Sequence, residues 1–155
     1  MSFESLSQAE IDHLVSRPKT VVGLSSPKVK QHAGTQHDEW SVRLISDDQK
    51  YHFRMYTRQN RLLDADFSCG LIWESAGGDL HLTRLNGNTH VHGPLQFVFH
   101  IHRATEKAIR EGRKPESFAE ATKDYDSLEG AKHQLVALAK ISGLNAPPPH
   151  PKLIP

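Results

Sequence analysis

The sequence predicts an α+β domain: a twisted, mainly antiparallel sheet of about five or six strands with a C-terminal helix packed on one face. Three observations carry this expectation. Apolar and polar residues alternate with period two through Trp40 to Leu44, Tyr51 to Met55 and Leu95 to Ile101, as half-buried strands require. Leu128, Ala131, Leu135, Leu138 and Ile141 form an apolar stripe at helical spacing near the end of the chain. The 155 residues contain no internal repeat and suit one domain, residues 1–144. In 145–155 five prolines predict an extended tail without regular structure.

Taken in order, Ser7-Gln8-Ala9-Glu10 has the form of a capping box, and Ile11, Leu14 and Val15 follow at helical spacing. A short helix is therefore expected to about Ser16, ended by Pro18. Thr20 to Leu24 reads as a short strand. Ser25 to Glu39, rich in polar residues, reads as a loop or arm in which His32 and His37 are solvated. Asp47-Asp48 supplies turn chemistry between the two strands of a hairpin, whose outward row is His52, Arg54 and Tyr56 with Arg43 nearby. Such a row could contact phosphate, and Arg54 is its candidate. Leu62 to Phe67 and Cys69 to Trp73 are two further apolar runs, with Gly77-Gly78 turning the chain after them. Cys69 reads as a small buried hydrophobe. Ala104 to Glu111 carries Glu106/Arg110 and Lys107/Glu111 at i,i+4 before Gly112, compatible with a short helix, with a strand continuing through Thr105 as the alternative. Phe118 to Tyr125 is open between a strand and a helical turn. Asp126-Ser127-Leu128-Glu129 resembles a second capping box, opening a helix that ends at Gly143 with His133 off its buried stripe.

Lys plus Arg number 19 and Asp plus Glu 18, so composition does not announce a nucleic-acid binder, although a local basic patch is compatible with it. The single cysteine cannot form an intramolecular bridge. With no apolar signal segment at the start and no run of membrane-spanning length, the expectation is a soluble, cytoplasmic protein with no membrane partner.

The stretch from Leu80 to Glu106 holds five of the eleven histidines. These are His81 and two i,i+2 pairs, His90/His92 and His100/His102. On a strand each pair shares one face, about 7 Å apart. Asn86-Gly87 is a strong hairpin signal. If these two residues form the turn, Thr83 faces His90 and His81 faces His92. Burying the row Leu95, Phe97, Phe99 and Ile101, worth roughly 1.5–3 kcal/mol per side chain, sends His100 and His102 to the opposite face. All five histidines converge if the strands pair. A tight turn at Gly93-Pro94 would give the wrong register, so a longer loop or bulge is expected there.

Such a cluster supports three readings. In general acid–base chemistry, one neutral histidine takes a proton, a protonated one gives a proton, and Arg84 stabilises anionic charge. Metal-free RNA cleavage needs these parts. In metal binding, His90, His92, His100 and His102 would ligate a transition metal such as Zn. In a binding module, the polar sheet face would recruit a protein partner without chemistry. Gly93, His100, His102, Glu106 and Gly112 also resemble the first metal motif of cupins, but both glycine spacings differ by one and no second motif follows.

The order Arg84-Leu85-Asn86-Gly87, His90-Val91-His92 and His100-Ile101-His102-Arg103-Ala104-Thr105-Glu106, followed by Gly112, Ala119-Glu120, Thr122 and Tyr125, resembles a prokaryotic family of small uncharacterised proteins. That resemblance runs from about Tyr51 to the C-terminal helix. More loosely, Arg84 to His92 is similar to the toxin component of certain bacterial toxin–antitoxin pairs. The resemblance implies an α+β domain, and by extension an RNA-directed role with an antitoxin-like protein partner. The leading expectation is a small ribonuclease-like protein needing no cofactor. His100 and His102 would be the acid–base pair, and His90, His92, His81 and Arg84 would bind or orient phosphate. Asn86 and Glu106 are open between a role in the site and a role in the turn and the helix face.

Overall fold

Alternation along the chain, and one place where alternation breaks, set the architecture. The computed structural model describes residues 3, 5–24, 28–32, 35–89, 91–92 and 95–144. In chain order the elements are α1 (Gln8–Ser16), β1 (Lys19–Leu24), β2 (Lys28–His32), β3 (Thr35–Ser46), β4 (His52–Asn60), β5 (Phe67–Ser75) and β6 (Gly78–Asn86). They continue with β7 (Val91–His92), β8 (Leu95–Gln96), β9 (His100–Arg103), α2 (Glu106–Arg110), β10 (Phe118–Ala121), α3 (Leu128–Ala139) and β11 (Ile141–Ser142). Nine of these strands form one sheet in the order β10-β9-β6-β5-β4-β3-β1-β11, with β2 also paired to β3. The α+β class is as expected, but the sheet is larger than five or six strands. All its pairings are antiparallel except β1 with β11.

One sheet face is apolar. Trp40, Val42, Leu44, Phe53, Met55, Cys69, Leu71, Leu80, Leu82, Leu85 and Ile101 are buried in one core with Ile11 and Leu14 of α1 and Leu128, Ala131, Leu135 and Ala139 of α3. Each large aliphatic or aromatic side chain so placed contributes about 1.5–3 kcal/mol. The helix ends are tied down by Lys19, itself buried, whose Nζ donates to the carbonyls of Val15 and Arg17 at 2.7 Å and of Ala139 at 3.0 Å. Those carbonyls lie at or just beyond the C-termini of α1 and α3, where no intrahelical donor remains. The α1 capping box forms as expected, Ser7 Oγ accepting from the Glu10 amide and Glu10 from that of Ser7. At α3 the cap is Ser127, which accepts from Gly130, not a box opened by Asp126. α3 stops at Ala139 with Lys140 left-handed, so Ile141 belongs to β11, and Leu138 is partly exposed.

Further expectations are corrected. Part of Ser25 to Glu39 is β2 and the start of β3, an edge hairpin without apolar alternation. Most of Leu62 to Phe67 is a loop, with Leu62 86% exposed. Asn86-Gly87 is not a hairpin turn: Asn86 ends β6 between Ser68 and His100, and Gly87 runs on past Phe67, whose carbonyl accepts from its amide. β6 therefore pairs with β9: Arg103 faces Thr83, and His92 faces Leu95 and not His81, while His90 lies outside the described residues. Finally, His92 pairs with Leu95, the register of a two-residue connection and not of a longer loop; Gly93 and Pro94 themselves lie outside the described residues. The register problem is resolved later, by a bend at Phe97 and Val98 that separates β8 from β9. Phe97 takes φ +53° and is exposed, so the expected buried aromatic row is broken at its centre. Phe118 to Tyr125 resolves as β10 and a following loop. The Pro-rich tail lies outside the described residues, and among these no helix is long and apolar enough to cross a membrane.

Candidate functional site

The second sheet face carries the polar residues, in rungs fixed by the register. One rung runs Ser41, Tyr56, Gly70, Arg84, His102, Ala119, and the next Glu39, Arg58, Ser68, Asn86, His100, Ala121. Neighbouring residues of a rung are about 5 Å apart. A β-bulge adds His81 to this face. Leu71 pairs with Thr83 and Ile72 with His81, so Leu82 is an extra residue in β6. Across the bulge the parity of β6 changes: Leu80, Leu82 and Leu85 all join the core, and His81, Arg84 and Asn86 share the polar face. Thr83, buried, donates from Oγ1 to the His102 carbonyl at 2.8 Å.

His100 and His102 do come together. Both are buried, and their rings meet edge to face at 5.2 Å. The Nδ1–H of His100 donates to the Val98 carbonyl and that of His102 to the Glu116 carbonyl, each at 2.9 Å. A carbonyl only accepts, so each Nδ1 carries a proton, and in the neutral imidazole the lone pair sits on Nε2. Asn86 Nδ2 lies 3.2 Å from His100 Nε2, consistent with that tautomer. The Tyr125 hydroxyl closes the end of this rung against the carbonyls of Asn86 and His100, at 2.8 and 2.9 Å.

His81 is different, because its side chain is 41% exposed. Its Nδ1 lies 3.6 Å from Oε2 of Glu116, a carboxylate only 5% exposed, in the segment between α2 and β10. Burial holds the His81 pKa below the ordinary histidine value, against the pull of Glu116, with Arg84 lowering it, Asp79 raising it and Lys114 lowering it. Tyr56 packs its ring edge-on to His81 at 6.4 Å and crosses Gly70, where a Cβ would stand 2.5–2.6 Å from the ring. Only glycine leaves room for the tyrosine there. Burial pushes the phenol of Tyr56 up to about 12, against the effect of Arg84, so it is a hydrogen-bond donor at neutral pH. Nε of Arg84, a donor, and Oδ1 of Asn86, an acceptor, are buried on this face without a hydrogen-bond partner among the described residues.

The remaining sequence candidates fall elsewhere. Arg54 shares the polar face, but its guanidinium is held by Glu74 at 2.7 Å and Asp79 at 3.2 Å. Glu106 belongs to the frame: its Oε1 accepts from the Gln8 amide while Gln8 Oε1 accepts from the Glu106 amide, each at 2.9 Å. His90 and the side chain of His92 lie outside the described residues, so convergence of all five histidines is not described. Sequence reasoning missed Glu116 and Tyr56 as members of the site. It also placed His37 in solvent, whereas His37 is buried with Nδ1 2.7 Å from Arg58 Nη1. The alternation of β4 puts Tyr56 in the outward row with Arg54, but only Arg54 is singled out from that row by sequence. Nothing local marks Glu116. Among the described residues no group of three His, Cys, Asp or Glu side chains is arranged to hold a metal ion. No protein-family model matches this chain, and neither a curated protein nor a solved structure matches it.

Proposed function

We propose that this polar face cleaves RNA by metal-independent acid–base chemistry in the cytoplasm, with His81 as the proton-transfer group, Glu116 orienting it and Arg84 stabilising the anion. The observation that carries the proposal is the pairing of a half-exposed histidine with a buried carboxylate, beside an arginine whose buried Nε has no partner among the described residues. A depressed pKa keeps His81 neutral near pH 7, as a base must be. In the proposed step His81 takes the proton of a 2′-hydroxyl and its oxygen bonds to the adjacent phosphorus. The bond from phosphorus to the 5′-oxygen breaks, and water protonates the leaving oxygen. The products are a 2′,3′-cyclic phosphate and a 5′-hydroxyl. Arg84 and the Tyr56 phenol face the charge that accumulates on phosphate oxygens. His100 and His102, buried with their Nδ1 protons committed to backbone carbonyls, hold the sheet and the segment around Glu116 in place.

The test is cleavage of a single-stranded RNA oligonucleotide in the presence of EDTA. His81→Ala and Arg84→Ala are each expected to slow it about 10²–10⁴-fold with the fold intact. The wild-type rate is expected to fall as pH drops through a pKa below the ordinary histidine value, because protonation removes the base. An unchanged rate in His81→Ala overturns the proposal.

A second reading, metal binding through His100 and His102, is favoured by one observation. Imidazoles that donate Nδ1–H to a carbonyl keep Nε2 as the ligating nitrogen, the arrangement usual for metal ligands, and at His100 a metal would displace the Asn86 amide from Nε2. Elemental analysis of protein purified without chelator decides: one transition metal per chain, lost in His102→Ala, would move the assignment to this reading.

A further inference from the structure

We infer that His102 is a positioning residue for the pair His81–Glu116, acting through the main chain of Glu116; the inference rests on the reading of His81 as the proton-transfer group. Glu116 lies in an irregular segment between α2 and β10, and its carboxylate can orient His81 only if that segment is fixed. Two neighbours are tied down, the Thr105 amide donating to the Pro115 carbonyl at 3.1 Å and Arg113 Nη1 to Ser117 Oγ at 3.2 Å. The bond on Glu116 itself comes from His102, whose Nδ1–H reaches the Glu116 carbonyl at 2.9 Å in a buried setting. A buried bond of this kind is costly to leave unmade, which makes it an effective anchor. His102 stands between Arg84 and Ala119 in its rung, and its ring meets that of His100 edge to face at 5.2 Å. One face of the sheet thus sets the position of a carboxylate that belongs to a loop.

The chemistry of the bond suggests its own control. An asparagine Nδ2 occupies about the place of a histidine Nδ1, whereas a glutamine amide reaches further and corresponds to Nε2. The experiment is a double-mutant cycle on the full chain, read by NMR titration of His81, whose charged neighbours are Glu116, Arg84, Asp79 and Lys114. Glu116→Gln removes the pull of the carboxylate and is expected to shift the His81 pKa downward. That shift is expected to persist in a His102→Asn background and to be lost in His102→Ala. A shift as large in His102→Ala as in the wild type overturns the inference, and so does its loss in His102→Asn. If His102→Ala does not fold, His102→Gln takes its place: a shift retained with Asn and lost with Gln supports the inference, and equal shifts overturn it. RNA cleavage plays no part in the cycle, so failure of the catalytic reading and failure of this one are separately visible.

Discussion

Lys19 illustrates at the scale of one residue how this fold places charge where water is absent. Its ammonium caps three carbonyls and lies 4.6 Å from the Phe53 ring centroid. Burial pulls its pKa down to about 7, Arg17 and Lys140 adding to the effect and Asp47 opposing it. The ordinary value is 10.5, so between the two the unfolded chain binds more protons than the folded one. The Lys19 contribution to stability is therefore least favourable below about pH 7 and becomes more favourable as pH climbs toward the unfolded value. Urea denaturation between about pH 6.5 and 9.5 is expected to show this rise, and Lys19→Met to flatten it. An identical pH dependence in both proteins would refute the assignment. None of this was legible in the sequence, where Lys19 follows a proline and looks like a surface residue; its burial depends on α3, which lies 109 residues further along.

At the scale of elements, what could be read locally was read well. The α1 cap, the β3–β4 hairpin and the α3 stripe are each set by residues within one or two turns or one strand pair. The errors came where distant pairing overrode a local signal. Gly87 reads locally as a turn glycine, but it is needed because a Cβ there would strike the carbonyl of Ala65. β2 is not legible in the sequence because an edge strand needs no apolar period, and Lys28 to His32 has none. The alternation of Leu95 to Ile101 suggested one strand, and the bend at Phe97 makes it two. That bend holds an exposed aromatic residue at positive φ, which costs on the order of 1–3 kcal/mol in a non-glycine residue. Phe97→Gly is accordingly expected to stabilise the protein by about 0.5–1 kcal/mol in urea melts. A loss of stability of that size would show instead that the ring has packing of its own.

The whole molecule opens as its sheet opens. Cys69 sits in β5 between β4 and β6, fully buried, and burial raises its thiol pKa well above the ordinary value. A thiol reagent is thus expected to label it no faster than the protein unfolds globally, and labelling is expected to accelerate with urea along the unfolding curve. Rapid labelling of the native protein would mean that the centre of the sheet opens on its own. The histidine row was visible in the sequence because histidine is rare enough to stand out. The partner carboxylate was not, because only the completed sheet brings the segment holding Glu116 over it.

The bulge in β6 has a bearing on what this face can hold. His81 and Arg84 stand on one side of the sheet although three positions separate them, because Leu82 is additional to the ladder. Excising Leu82 would restore plain alternation and keep both side chains on that side, while drawing them about 3.3 Å closer along the strand. The surplus residue therefore acts as a spacer between an imidazole and a guanidinium, and their separation is encoded by chain length, a variable that no single substitution can scan.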